Sequence, residues 1–134
     1  MTWTSRPYFM LNSRDIGLLE PPFKKLIVRW LEACKNIGLD VLVISTYRDD
    51  EYQNWLYAKG RTSKGVIVTN ARGGESLHNQ KLALDFCIMD GKACDWTNKP
   101  AFTRAGILAE NLGLFWAGRW QGKIKELGHI QFKK

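Results

Sequence analysis

The sequence has no apolar run long enough to cross a membrane, because its longest one, residues 41–44, has only the length of a strand. No basic segment followed by an apolar one lies near its start, so we expect no signal peptide, synthesis in the cytoplasm and no membrane insertion. Internal repeats, low-complexity segments and Pro/Gly/Ser-rich linkers are missing as well. The 134 residues are therefore predicted to form one domain over 1–134, large enough to bury a core.

Cysteine is also scarce, and its number is odd. Cys34, Cys87 and Cys94 form no CxxC pair, which argues against a full disulfide framework. Cys34 falls on the apolar stripe of a predicted helix, and Cys87 would share the face of a strand with Asp85. Core packing is the predicted role of both.

Acidic residues are fewer than basic ones, and the formal net charge is +7. Such an excess favours an anionic partner, which could be nucleic acid, anionic lipid or the acidic polymers of a bacterial envelope. The basic residues are spread along the chain, and no helix-turn-helix or zinc-finger spacing is present. A solvated basic surface is the simplest interpretation, and no specific nucleic-acid partner is expected.

Apolar periodicity predicts three helices. The first, over 21–37, places apolar residues on one face of a 3.6-residue period, with Pro21 in its first turn and Gly38 at its end. A second helix is predicted to start at Asp49 or Asp50 and to run to about residue 59. The third begins at Pro100 and ends near residue 113.

Strands are predicted between and after these helices, at 39–46, 66–69, 82–89 and 129–132. Apolar residues alternate along 82–89, and Asp90-Gly91 is a hairpin turn signal. Residues 70–78 have the composition of a loop. The order of elements predicts an α+β fold with a small antiparallel sheet flanked by helices.

The chain has only two histidines, and each is followed or preceded at short spacing by a carboxylate. Asp85 lies seven residues after His78, on the predicted strand between two bulky apolar residues. If that face is buried, the carboxylate needs a metal ion or several hydrogen-bond donors. A surface aspartate paired with an arginine is the alternative that the residues leave open.

His129 begins the last predicted strand, and Glu126 precedes it by three residues. Two histidines and one aspartate can bind zinc and leave a fourth position for water. The metal lowers the pKa of that water to about 7, and a neighbouring carboxylate such as Glu126 can take its proton. Alternatively, Glu126 is a surface charge paired with Lys123 or Lys125.

Other polar and aromatic residues are candidates for contact with a substrate. Arg48, at the end of a predicted strand, could hold a substrate carboxylate or an oxyanion, or else form a salt bridge with the acidic residues 49–51. Ser76 could bind substrate or fix its loop. Trp116 and Trp120 could wall a groove, although tryptophan more often packs in a core.

The pattern Ser76-x-His78-x-x-x-x-Ala83-x-Asp85, followed by Glu126-x-x-His129, resembles the zinc D-alanyl-D-alanine and L-alanoyl-D-glutamate peptidases. The resemblance covers about residues 39–132. Further stretches are similar to the L-alanoyl-D-glutamate endopeptidase branch of bacteriophage endolysins: Thr46-Tyr47-Arg48, Gln53-x-x-Leu56-Tyr57-Ala58-x-Gly60-Arg61-Thr62, Gly65-x-Ile67-Val68-Thr69-Asn70-Ala71 and Ser76-x-His78-Asn79.

The resemblance implies roles for individual residues. It implies that three residues bind Zn²⁺, that Glu126 is the catalytic carboxylate, and that Arg48 polarises the substrate carbonyl or its intermediate. The implied ligands are His78, Asp85 and His129. The predicted substrate-binding residues are Ser76, Tyr47, Gln53 and Trp116.

The resemblance also implies a fold and a function. The fold is the one shared by D,D-peptidases and the hedgehog signalling domain. The implied function is hydrolysis of the L-alanoyl-D-glutamate bond of peptidoglycan by a lysis enzyme. We also expect this chain to be a monomer without a separate wall-binding domain. Such an enzyme is made in the host cytoplasm and reaches the cell wall through a membrane lesion. A D-alanyl-D-alanine carboxypeptidase or dipeptidase, or a non-catalytic zinc-binding module, is the alternative.

Two positions depart from the pattern of the family. The phage branch usually carries aspartate at the position of Glu126, whereas glutamate is typical of the carboxypeptidase and dipeptidase branches. The Ser-x-His motif usually has glycine at the position of Lys81. Glu126 leaves open which bond of the peptidoglycan is cut. Lys81 affects the expected geometry of the loop and not the identity of the metal ligands.

Overall fold

The computed structural model of the protein describes residues 10–121 and 125–133. Within these residues, the helices are α1 (Pro21–Asn36), α2 (Asp50–Ala58) and α3 (Lys99–Asn111). The strands are β1 (Val41–Ser45), β2 (Ala83–Asp90), β3 (Ala93–Cys94), β4 (Phe115–Trp116) and β5 (His129–Gln131). The strands pair antiparallel in the order β1-β2-β5-β4, and β3 pairs with β2. This confirms the predicted α+β fold. No helix in these ranges combines the length and apolarity that a membrane crossing requires.

Helix α1 covers one face of the sheet, as its apolar periodicity predicts. Phe23, Ile27 and Trp30 are fully buried along it, and each contributes about 1.5–3 kcal/mol through burial. The Trp30 ring contacts Phe86 of β2 edge to face at 4.9 Å. Its indole N–H donates to the carbonyl of Ala105 in α3 at 2.9 Å, which satisfies the buried polar group. The contacts of Trp30 therefore fix both α1 and α3 relative to β2.

The central strand β2 places one carboxylate between two neighbouring strands. Phe86 and the alternate apolar residues point into the core, so Asp85 points to the opposite face. Asp85 pairs with Ser45 of β1, where the register shifts, and with His129 of β5. The sheet thus brings together residues that are more than 40 positions apart in sequence (129 − 85 = 44).

Residues 66–69 do not form the predicted strand. Val66, Ile67 and Val68 are 76%, 56% and 50% exposed. The side chain of Gln53 holds the segment instead. Its amide donates to Thr69 Oγ1 at 3.3 Å and to the carbonyl of Ala71 at 2.9 Å. The prediction was wrong because a β-branched run favours a strand only where a partner strand and a packed face are available.

Cys87 packs in the core as predicted, and it also forms a disulfide bond that the sequence did not indicate. Cys87 is buried, and its sulfur is bonded to that of Cys94. The hairpin of β2 and β3 pairs Met89 with Cys94, which brings the two thiols to the same face. Cys34 remains a free buried thiol whose pKa is raised to about 11 by burial, so it is unreactive.

The position where the family usually has glycine has left-handed backbone in this chain. Lys81 ends the short helical turn Leu77–Gln80 with a φ of 64°. A residue with a Cβ atom is disfavoured in this region by about 1–2 kcal/mol, whereas glycine adopts it freely. The ammonium group of Lys81 lies 5.3 Å from the centre of the Tyr47 ring, a contact that offsets part of this strain.

We therefore expect Lys81→Gly to raise the free energy of unfolding by about 1 kcal/mol, because it removes the strain at this residue. Lys81→Ala is the matched control, since it removes the same side chain but keeps the Cβ atom. Urea unfolding of the three proteins gives the comparison. A Lys81→Gly protein less stable than Lys81→Ala would show that the left-handed backbone carries no cost here.

Candidate metal centre and active-site cleft

The structure brings His78, Asp85 and His129 together, as the sequence predicts. One ligand atom from each lies within 4.8 Å of the others. His78 comes from the helical turn Leu77–Gln80, Asp85 from the middle of β2 and His129 from the first position of β5. Two nitrogen donors and one carboxylate oxygen around one point are a donor set that suits a metal ion with an open coordination position.

His78 presents an unsatisfied nitrogen to this point. Its Nδ1 lies 2.8 Å from the carbonyl oxygen of Thr46, which can only accept, so Nδ1 carries the proton and Nε2 carries the lone pair. The side chain is buried, and Nε2 has no hydrogen-bond partner. It lies 3.2 Å from Asp85 Oδ1, without hydrogen-bond geometry. Two acceptors that face each other in a buried site are stabilised by a cation between them.

His129 uses its other nitrogen. Its Nε2 lies 2.9 Å from Gln131 Oε1, and Gln131 donates its own amide to the carbonyl of Lys133 at 2.8 Å. This arrangement places a proton on Nε2 and turns Nδ1 toward Asp85 Oδ1, 2.7 Å away. Each histidine is thus oriented by a backbone or amide oxygen behind it, as is usual for metal-ligating imidazoles.

The three side chains shift one another's pKa values. Burial favours the neutral form of His129, but its hydrogen bond and attraction to Asp85 outweigh that effect and raise its pKa. Burial lowers the pKa of His78. Burial also opposes the ionisation of Asp85, yet the two histidines hold the pKa of this carboxyl well below its usual range. Because the pKa of His129 is raised, protons and a metal ion would compete for its Nδ1.

Arg48 contacts the outer oxygen of the same carboxylate. Its Nη2 lies 2.7 Å from Asp85 Oδ2, while Nε donates to Ser45 Oγ at 3.2 Å and Nη1 to Gln53 Oε1 at 3.4 Å. Of the alternatives for Arg48, the ion pair exists, but with Asp85 and not with residues 49–51. The guanidinium orients Asp85 so that Oδ1 remains directed at the histidines.

Glu126 lies beside the metal centre without being part of the ligand set. Its Oε2 is 3.7 Å from His129 Nδ1, and 48% of its side chain is exposed. Partial burial raises the pKa of Glu126, the positive charge of His129 opposes this, and the charge of Asp85 adds to it. The alternative pairing with Lys123 falls outside the described residues. Glu126 is thus close enough to exchange a proton with a water molecule at the centre.

A cleft of about 1030 Å³ opens over this site. Ser76 lines it and also accepts a hydrogen bond from the backbone N–H of His78 at 3.2 Å. Trp120 lines it with its ring 5.6 Å from the ring of His129. The walls combine polar and apolar residues, among them Arg48, Val68, Ser76, Trp96, Trp120 and Glu126.

Comparison with known proteins identifies the family. Residues 18–126 match the model of VanY, described as D-alanyl-D-alanine carboxypeptidase. The chain belongs to the VanY family. This confirms the family predicted from the motifs around His78 and His129.

Two curated relatives of this VanY-family chain have names that state an activity. The peptidoglycan L-alanyl-D-glutamate endopeptidase CwlK of Bacillus subtilis is 37% identical over 108 residues, which are 74% of this chain and 64% of the relative. The L-alanyl-D-glutamate peptidase of Listeria phage A118 is 26% identical over 127 residues, 93% of this chain and 42% of the relative. The chain therefore spans less than two thirds of the length of either relative.

Solved structures share the fold. The vancomycin-resistance D,D-pentapeptidase VanY, solved in complex with Zn(II), has a TM-score of 0.65 at 14% sequence identity. The match covers 93% of this chain and 79% of that one. It confirms the D,D-peptidase-like fold predicted from the sequence.

Three residues predicted to bind substrate lie away from the surface of the cleft in this VanY-family chain. Trp116 is 3% exposed, and its indole N–H donates to the carbonyl of Leu127 at 2.8 Å. Gln53 is fully buried and holds Arg48. Tyr47 lies against Lys81 and does not line the cleft. Each of the three contacts a neighbouring residue of the protein and helps to hold it in place. Their direct contact with substrate stays a prediction.

Two other residues were not singled out from the sequence. Gln131 follows His129 by two positions on a strand, so the two side chains share a face, and this spacing was a usable signal. Trp96 lines the cleft between β3 and α3. Nothing in its local sequence distinguishes it from a core tryptophan, since its position in the cleft depends on how the hairpin packs.

We expect Gln131→Leu to weaken the binding of Zn²⁺, used as a probe, by about 10- to 100-fold, because His129 loses the oxygen that fixes its tautomer. Calorimetric titration of the metal-free protein measures the affinity, and ¹⁵N NMR of the His129 ring reports the tautomer. Gln131→Glu is the control, since it keeps an acceptor oxygen and is expected to retain the Nε2–H tautomer. An unchanged affinity and tautomer in Gln131→Leu would remove this role from Gln131.

Proposed function

We propose that this VanY-family chain is a zinc peptidase that hydrolyses the L-alanoyl-D-glutamate amide bond of peptidoglycan stem peptides. One observation carries the proposal. The buried, unpartnered Nε2 of His78 meets Asp85 and His129 at one point, with the carboxylate of Glu126 next to it. A metal-binding module without catalysis has no need of that additional acid.

Zinc is proposed because the donor set and a relative agree on it. Two imidazole nitrogens and one carboxylate oxygen are typical ligands of catalytic zinc sites. The D,D-pentapeptidase with the same fold was solved with Zn(II). When bound, zinc would lower the pKa of a water molecule to about 7 and polarise the scissile carbonyl.

The residues of the chain supply the proton transfers and the charge. Glu126 takes a proton from the attacking water and returns it to the leaving amine, which explains why it lies beside the ligands and half exposed to the cleft. Arg48 orients Asp85 through its 2.7 Å contact. Its positive charge at the cleft also stabilises the negative charge that develops on the carbonyl oxygen.

The proposed bond follows from the relatives at 37% and 26% identity, whose names both specify L-alanyl-D-glutamate. A D-alanyl-D-alanine carboxypeptidase is the second candidate, because the matching family model carries that description. Glu126 is also the residue typical of that branch. The two candidates differ in products, since the second releases free D-alanine.

We further propose that the chain is a monomeric bacteriophage lysis enzyme, made in the host cytoplasm and acting on the wall after a membrane lesion. The relative from a Listeria phage supports this. The net charge of +7 would attract the chain to an anionic envelope. No specific nucleic acid is proposed as partner.

The test is digestion of purified peptidoglycan, followed by mass analysis of the fragments. We expect new N-terminal D-glutamate ends that disappear with a chelator. Release of D-alanine without such ends would select the carboxypeptidase instead. Intact peptidoglycan and intact stem peptides with the zinc-loaded protein would reject both candidates.

A further inference from the structure

One aromatic residue of the cleft has no part in the site described above. Trp96 follows β3, lines the cleft and is 55% exposed. Single exposed apolar residues are common on protein surfaces and usually have no special role. This indole differs because it lies within the cleft, beside the strand that carries a proposed metal ligand.

The position of the Trp96 ring is defined by two contacts. One face stacks on Phe102 of α3, with the ring centres 5.7 Å apart and the planes 15° from parallel. Its edge lies against Gly128, where an added Cβ atom would come within 3.4 Å of the indole. Gly128 directly precedes His129, so the ring packs against the residue next to a proposed metal ligand. The exposed surface of the ring is therefore available to a molecule in the cleft.

The segment that carries Trp96 is held rigidly. Cys94, two residues earlier, is bonded to Cys87 of β2. Asp95 donates its N–H to the carbonyl of Ile88 at 2.8 Å, and its carboxylate accepts from the N–H of Thr97 at 3.0 Å. A ring held in this way loses little conformational entropy when a ligand packs on it, which favours binding.

The chemistry of the substrate determines what can pack there; this step rests on the proposed function. In peptidoglycan, the L-alanine before the scissile bond is attached to N-acetylmuramic acid. The alanine residue and the lactyl group of the sugar together span about 7 Å when extended, so the pyranose ring lies within the reach of the cleft when the bond is cut. The stem peptide has small or charged side chains, whereas a pyranose ring offers a broad C–H face that matches an indole.

We propose that Trp96 forms a subsite for the N-acetylmuramyl sugar that precedes the scissile L-alanoyl-D-glutamate bond. The subsite makes the enzyme selective for stem peptides still attached to glycan. In this proposal, the disulfide and the turn at Asp95 hold the Trp96 ring in position for the sugar.

The experiment compares two substrates: an N-acetylmuramyl stem peptide and the same peptide with an N-acetyl group in place of the sugar. The wild-type protein is expected to prefer the sugar-bearing substrate in kcat/KM by about tenfold, and Trp96→Ala is expected to abolish most of this preference through KM. Trp96→Phe keeps an aromatic face and is expected to retain part of it. A merely structural role would change both substrates equally and leave the ratio intact.

A binding measurement keeps the inference independent of catalysis. N-acetylmuramyl-L-alanine is titrated into the zinc-loaded protein while the indole N–H resonance of Trp96 is followed by NMR. We expect a saturable shift that N-acetyl-L-alanine does not produce. No shift with the sugar ligand, or an equal ratio of kcat/KM in wild type and Trp96→Ala, would overturn the proposal. Failure of the protein to cut either peptide, with the shift present, would reject the proposed reaction and leave the sugar subsite standing.

Discussion

Replacement of Glu126 by Gln is expected to lower kcat for stem-peptide hydrolysis by about a thousandfold, within the range for loss of a general base. The amide has almost the same size as the carboxylate but cannot take a proton from water. Because Glu126 Oε2 lies 3.7 Å from His129 Nδ1 and outside the ligand set, the metal centre should remain intact. Steady-state kinetics and metal analysis of the same preparation measure the two effects.

Glu110→Gln is the matched control for this variant. Glu110 lies on α3 and pairs with Arg119 at 2.9 Å, outside the residues that line the cleft. An exposed ion pair of this kind contributes at most about 1 kcal/mol, so the variant is expected to keep its activity. A Glu126→Gln protein with full zinc content and wild-type kcat would remove Glu126 from the proposed reaction.

Replacement of Asp85 by Ala has the second large effect. We expect zinc affinity to fall by more than about 100-fold. This is a larger loss than that caused by removing a residue that only hydrogen-bonds to a metal ligand. The metal-free protein should also lose about 3 kcal/mol of unfolding free energy, because Arg48, whose side chain is only 16% exposed, loses its partner at 2.7 Å. Calorimetric zinc titration and urea unfolding at pH 7 measure these quantities.

The stability difference should depend on pH with a defined sign. The folded pKa of Asp85 is held well below its usual range, so the carboxylate stabilises the fold above its unfolded pKa of about 4. That contribution is lost as the pH falls through the lower folded pKa. The gap between wild type and Asp85→Ala should therefore narrow below about pH 4.

Asp90→Asn controls for the loss of one negative charge on the same strand. Asp90 is exposed at the hairpin end of β2, and its replacement should change stability by less than about 0.5 kcal/mol. If Asp85→Ala matches Asp90→Asn in stability and zinc affinity, Asp85 contributes no more to either quantity than an exposed aspartate does. The alternative left open by the sequence would then be correct.

Much of the fold could be predicted because its elements bury regular patterns. The spacing of Phe23, Ile27 and Trp30 predicts α1, and the alternation around Asp85 predicts β2. Both signals arise from burial on a single face, which local sequence records. The strand predicted at 66–69 is absent because Val66, Ile67 and Val68 are exposed, and the side chain of Gln53 bonds to Thr69 where a partner strand would have to lie.

Part of the site depends on tertiary contacts that local sequence does not record. The motifs named the proposed ligands, but the nitrogen that each histidine presents is determined by the Thr46 carbonyl and by Gln131. The partner of Arg48 is determined by the register of β1 against β2, which places Ser45 opposite Asp85. The position of Trp96 depends on the packing of the hairpin against α3, so its exposure in the cleft could not be predicted.

The proposed reaction requires one zinc ion held by His78, Asp85 and His129 of this VanY-family chain. The most direct test adds zinc stepwise to the metal-free protein and follows hydrolysis of a stem peptide that contains the L-alanoyl-D-glutamate bond. We expect no hydrolysis without metal and a linear rise in rate that stops at one equivalent of zinc. Full hydrolysis by the metal-free protein, or none at one equivalent, would contradict it.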